Sequence, residues 1–203
     1  MKNNRLLPWP LWFVLLLPLV ITLVVFARLP EQFPVHWNSA GQVDWTLPKF
    51  PGAFLLPLVC IAFLLFYLPS IPREQYERSP DTYRWIGGVL AGVFLLVHIA
   101  SVLISLGMGL PMDFLAKLIT GFLFLIVGNL LPKLRVRGSR LQRWPWLVKS
   151  RRFGGYLWMA SGVIMLTLAF VPGTASALVG IGLCLALIIG PMLYARLTWR
   201  KEQ

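Results

Sequence analysis

The chain has 203 residues, of which 58% are hydrophobic and only 13% charged, and its formal net charge is +12. A soluble domain is nearer half apolar and about a quarter charged, so composition argues against a water-soluble globular protein. The basic excess would suggest nucleic acid in a soluble chain, but its placement here points to a membrane.

Six apolar blocks have about the length a helix needs to cross a hydrocarbon core. They are Pro8–Ala27, Gly52–Leu68, Ile86–Leu106, Phe114–Leu131, Gly155–Val171 and Ala175–Tyr194. Each is expected to be helical, because backbone polar groups in lipid have no water to bond. Pro18, Pro57 and Pro191 fall inside these blocks, which membrane helices tolerate. The expected fold class is an all-α membrane protein, with six transmembrane helices and a structured extracytoplasmic loop between the first two. Residues 1–68 form an N-terminal helical hairpin carrying the loop 28–50. Residues 86–194 form a four-helix membrane module with a basic cytoplasmic loop, 132–152.

With the N-terminus placed in the cytoplasm, sixteen Lys and Arg fall on the inner side and only Arg28 and Lys49 in the outer loops. The positive-inside rule then places both termini of this multi-pass chain in the cytoplasm, and the expected location is the cytoplasmic (inner) membrane. The basic residues read as a topology signal and as contacts to anionic membrane lipids, with no direct nucleic-acid role. The first block is too long and bulky for a usual signal-peptide core, so it reads as an uncleaved anchor.

The loop Arg28–Phe50 is crowded with prolines, aromatics and polar residues. His36, Trp37, Asn38 and Asp44 are its candidate ligand-binding residues, around a turn expected at Asn38–Gln42. One His with one carboxylate falls short of the three or four ligands of a dedicated zinc site, so no metal is assigned. The plainer reading is a hydrogen-bonded loop on the outer bilayer surface, with Phe33, Trp37 and Trp45 as interfacial anchors.

In the third block, His98 lies about 12 Å below its outer end. Ser101 and Ser105 follow on the same face. Gly88 and Gly92 in this block, and Gly121 and Gly128 in the fourth, have spacings that allow close helix approach. Lys117 lies one turn inside the fourth block, with Asp113 four residues earlier, a favourable order of charges. Two readings stand for His98 and Lys117. One is structural: a bonded imidazole, and a lysine snorkelling to the surface. The other is a polar cavity open to the outside, since ionisable groups inside a membrane point to function. No nucleophile–base pair is recognisable, so no enzymatic activity and no cofactor are expected. Cys60 and Cys184 read as apolar filler.

Asn129 lies near the inner end of the fourth block, and the basic loop after it carries Arg143, Pro145, Trp146 and Arg152. Its aromatics and cations suit the cytoplasmic interface, or a docking platform for an acidic partner.

Two stretches resemble known families. Leu29, Pro30, Pro34, His36, Trp37, Asn38, Gly41, Asp44 and Lys49 match the pattern of a short domain of unknown function that opens many bacterial membrane proteins. Gly128, Asn129, Pro132, Arg143, Pro145, Trp146, Arg152, Gly154 and Gly155 resemble the C-terminal half of SdpI-type proteins, which confer immunity to a secreted killing toxin. Arg137 and Leu141 stand where that family carries Asn and Gly, and the stretch after Trp146 is shorter. The resemblance implies six helices and a role in tolerating a membrane-active peptide, with signalling to a cytoplasmic regulator. Asn129, Arg143, Pro145, Trp146 and Arg152 are then the candidates for cytoplasmic interaction. The alternative function is a small transporter or lipid-handling protein using a polar cavity near His98 and Lys117.

Overall fold

The computed structural model describes residues 9–134 and 145–200. In order, these form α1 (Trp9–Val25), a 3-10 turn (Phe26–Arg28), β1 (Gln32–Trp37), β2 (Val43–Pro48), α2 (Lys49–Ser70) and α3 (Arg73–Arg78). There follow α4 (Pro80–Ser105), α5 (Met112–Leu130), a 3-10 turn (Leu131–Lys133), α6 (Pro145–Leu168) and α7 (Thr174–Arg200). Among the described residues, five stretches are long and apolar enough to cross a membrane: Leu11–Arg28, Lys49–Tyr67, Pro80–Ser105, Met112–Lys133 and Thr174–Leu197. The protein is an all-α membrane protein by its spanning elements.

Each apolar block of the sequence falls on one of these helices, but the fifth departs from expectation. It is the helix α6, 24 residues long, yet α6 is not among the five. Lys149, Ser150, Arg151 and Arg152 occupy its first turns, which shortens its apolar stretch.

The loop between the first two blocks is also more regular than expected. It is an antiparallel β-hairpin, with Phe33 opposite Leu47, Pro34 opposite Thr46, His36 opposite Trp45 and Trp37 opposite Val43. Irregularities fall between Pro34 and His36 and between His36 and Trp37. Such bulges bend and twist a strand. Proline is tolerated because both strands of a lone hairpin are edge strands.

The described chain divides into two compact units, residues 1–71 with 87–116, and residues 72–86 with 117–203. In the first, Leu29, Phe33, Ala53 and Val102 form a buried core, joined by Ile21, Val25, Phe26 and Val35. The hairpin is thereby seated on the ends of α1, α2 and α4, and Phe33 is only 3% exposed. Phe33 is thus a core residue and not an interfacial anchor. α4 ends on a glycine cap, with the Gly107 amide donating to the Ile104 carbonyl and the Met108 amide to the Leu103 carbonyl. These two bonds satisfy carbonyls that the last helical turn would leave open.

The second unit is held by glycines. A Cβ on Gly121 would lie 3.1 Å from the Gly162 carbonyl oxygen, and one on Gly128 would lie 2.8 Å from that of Gly155. The converse distances are 2.9 Å from Gly162 to the Gly121 oxygen and 2.8 Å from Gly155 to the Gly128 oxygen. Glycines seven apart on α5 therefore meet glycines seven apart on the antiparallel α6, over about 10 Å of helix. Such backbone contact is how small residues drive helix association without a hydrophobic force. Phe124, Met165 and Leu187 form the adjoining core, with Trp158 packed edge-on to Phe124. At the start of α4, Tyr76 of α3 stacks on Tyr83 and accepts a bond from Arg84. The short α3 carries two ion pairs, Arg73–Glu77 and Arg78–Glu74.

Candidate functional site

The hairpin turn is built by one side chain. The Asn38 side-chain oxygen accepts from the amides of Ala40 (2.9 Å) and Gln42 (3.0 Å). The Asn38 amide donates to the Gln42 carbonyl, and the Gly41 amide to the Asn38 carbonyl, both at 2.9 Å. An Asn that bonds its own backbone two residues on is a standard turn former. Gly41 sits at φ 75°, a conformation open to glycine at little cost. A Cβ there would also lie 2.6 Å from the amide nitrogen of Asp113, so the turn rests against the first turn of α5.

His36 and Asp44 bond across the strands at 2.6 Å, with side chains 62% and 41% exposed. The remaining candidate, Trp37, is half-buried, and its indole N–H has no acceptor among the described residues. The hairpin thus gathers all four outer candidates. Trp45 is 62% exposed.

Beneath the hairpin lies a polar knot. Pro57 has no N–H, so the Ala53 carbonyl lacks its helical donor. The Thr22 hydroxyl stands 3.2 Å from that oxygen, 3.0 Å from the Pro18 carbonyl and 3.0 Å from His98 Nε2. A hydroxyl has one hydrogen. Two of its neighbours are carbonyls that only accept, so His98 is assigned as the Nε2–H donor. Its Nδ1 is then a bare acceptor, with no partner among the described residues. Thr22 and His98 are fully buried. Ser101 and Ser105 fold back onto the carbonyls of Val97 and Ser101.

Lys117 belongs to the second unit, and its ammonium is buried rather than at the surface. It donates to the Val171 carbonyl at 3.0 Å and to the Ser176 hydroxyl at 2.6 Å. Ser176 passes its own hydrogen to the Gly173 carbonyl. A cation on the carbonyls that follow α6 complements the negative end of that helix. His98 and Lys117 therefore lie in different units, each bonded within its own.

Of the inner candidates, Asn129 and Arg152 are exposed, on α5 and α6. Pro145 and Trp146 open α6. Arg143 lies outside the described residues. Arg151, which sequence reasoning passed over, donates to the Leu134 carbonyl and so ties α6 to the end of the preceding turn. Thr22 was also passed over. The arithmetic of Pro57 and residue 53 signals a freed carbonyl, although not which side chain meets it. Among the described residues no group of three or more His, Cys, Asp or Glu is placed to hold a metal.

The family described as Domain of unknown function (DUF1648) matches residues 13–61, which take in most of α1, the hairpin and the first half of α2. Along most of its length the chain is similar to the Immunity protein SdpI of Bacillus subtilis (strain 168). That match is 26% identical over 188 residues, covering 88% of this chain and 89% of the relative. The Uncharacterized membrane protein YbgB of the same organism is 30% identical over 53 residues, 26% of this chain and 58% of the relative. No solved structure matches the chain.

Proposed function

We propose that this chain is a non-enzymatic immunity protein of the bacterial cytoplasmic membrane, whose hairpin meets a membrane-active peptide at the outer face. The observation that carries this reading is the similarity to an immunity protein over 88% of the chain, which takes in the hairpin and both units. The hairpin offers the exposed ring of Trp45 and an exposed His36–Asp44 pair, on a scaffold fixed by Phe33 and Gly41.

In this reading α6 is a sixth membrane helix. Its glycine contacts with α5 run along the middle of a spanning helix, and six spans return both termini to the cytoplasmic side. The inner ends of α5 and α6, with Asn129 and Arg152 exposed, then face a cytoplasmic regulator. The transporter alternative draws less support, because the His98 imidazole and the Lys117 ammonium are each bonded to structural carbonyls and hydroxyls of their own unit.

The test is expression of the chain in a bacterium sensitive to a secreted membrane-active peptide. Survival should rise, and should fall back with a His36→Ala, Asp44→Ala double variant that still reaches the membrane. Unchanged killing across a panel of such peptides would overturn the proposal.

A further inference from the structure

Trp45 and Leu47 project from the same face of β2, since residues two apart on a strand share a face. Leu47 lies against the core: a Cβ on Gly52 would stand 3.1 Å from the Leu47 Cβ and 3.2 Å from that of Phe33. Trp45 faces the same way and is 62% exposed. The hairpin therefore overhangs the helices it caps, and its apolar underside continues past their edge.

The residues around this overhang share one character. Phe50, at the start of α2, is 70% exposed and packs edge-on to Phe54. Val24 of α1 and Leu55 of α2, 76% and 47% exposed, continue the apolar belt along two candidate spans. Those spans end on the hairpin side at Arg28 and Lys49, both cations. The Lys49 ammonium lies 4.9 Å from the centre of the Phe26 ring. Aromatics at the boundary with cations at the same level match a headgroup layer of phosphates above acyl chains.

We infer that the underside of the hairpin, at Trp45 and Phe50, is seated in the headgroup layer of the bilayer, with Arg28 and Lys49 on lipid phosphates. The occupant is phospholipid, for two reasons. The surface is continuous with the lipid-facing belt of α1 and α2, and its charge complements phosphate. The placement holds whichever side of the membrane the hairpin occupies, so it stands apart from the proposed immunity role. It makes the hairpin an element bound at the membrane surface.

The experiment uses the full chain with Cys60→Ala and Cys184→Ala, in vesicles of phosphatidylethanolamine and phosphatidylglycerol with no peptide present. A nitroxide is placed at residue 45 in one sample and at residue 44 in another, and its accessibility to oxygen and to a water-soluble nickel chelate is read. The inference expects an oxygen-to-nickel ratio several-fold higher at 45 than at 44. Equal ratios would overturn it, as would a ratio at 45 that rises only after a peptide is added. A second readout needs no label. Trp45→Phe should lower the share of tryptophan emission quenched by shallow brominated lipids, and an unchanged share would count against the inference.

Discussion

The Thr22 hydroxyl stands 3.2 Å from the Ala53 carbonyl, the oxygen that Pro57 deprives of its helical donor. One side chain of α1 thus repairs a break in α2 and receives the imidazole of α4. Buried groups left unpaired cost about 1–3 kcal/mol each. Thr22→Val should therefore lower stability by about 1–3 kcal/mol, while Thr22→Ser keeps most of it. Pro57→Ala restores the N–H to residue 57, so Thr22→Val should cost less in that background. Thermal unfolding in detergent, run as a double-mutant cycle, checks this; a cost unaffected by Pro57→Ala would refute the donor role.

Gly41→Ala combines a φ of 75° with a Cβ 2.6 Å from the Asp113 amide nitrogen. The backbone conformation alone costs a residue with a Cβ about 1–2 kcal/mol. The turn should lift from α5, and hydrogen exchange should quicken at the amides of Ala40 and Gln42, which donate to Asn38. Exchange as slow as in the parent would show that the turn tolerates a methyl group.

Gly155→Ala and Gly162→Ala place a Cβ 2.8–2.9 Å from opposing carbonyl oxygens on α5. Overpacking of this kind costs about 1–3 kcal/mol, and both variants should melt earlier. Gly182→Ala is the control, because nothing lies within 4 Å of its Cβ position. Equal melting of all three would remove the case for backbone contact between α5 and α6.

The His36–Asp44 pair is short but exposed on both sides, and exposed ion pairs are worth about 0–1 kcal/mol. His36→Ala and Asp44→Ala should leave melting nearly unchanged, so a loss of protection in either reports on recognition. Coupling well above 1 kcal/mol in their cycle would instead make the pair structural.

Trp37→Phe deletes an indole N–H that has no acceptor among the described residues, while keeping an aromatic ring. Removing an unpaired buried donor relieves a desolvation penalty, so stability should hold or rise slightly. A marked fall in the melting temperature would reveal a partner for that donor.

The spanning helices were legible because lipid imposes length and apolarity on the sequence directly. Gly121 and Gly128 announced a close approach, but their partners Gly155 and Gly162 belong to α6, whose hydropathy is diluted by Lys149 and two arginines. The outer loop showed its turn through Asn38 and Gly41. Its strands did not show, because Pro34 sits inside β1 and the irregularities at His36 break the alternation that marks a strand. His98 was legible as a buried polar group. Its bond to Thr22 was not, since a contact between helices one and four depends on packing that local pattern does not encode.

The matched segment 13–61 ends before α4, yet Val102 of α4 completes the core under Phe33, and Asp113 meets the turn at Gly41. A graft of that segment alone onto another protein would carry a bare aromatic underside and an imidazole-less Thr22. Any transplant of the cap must bring the helix from Pro80 to Ser105 as well, because the modular border in the sequence is no border in space.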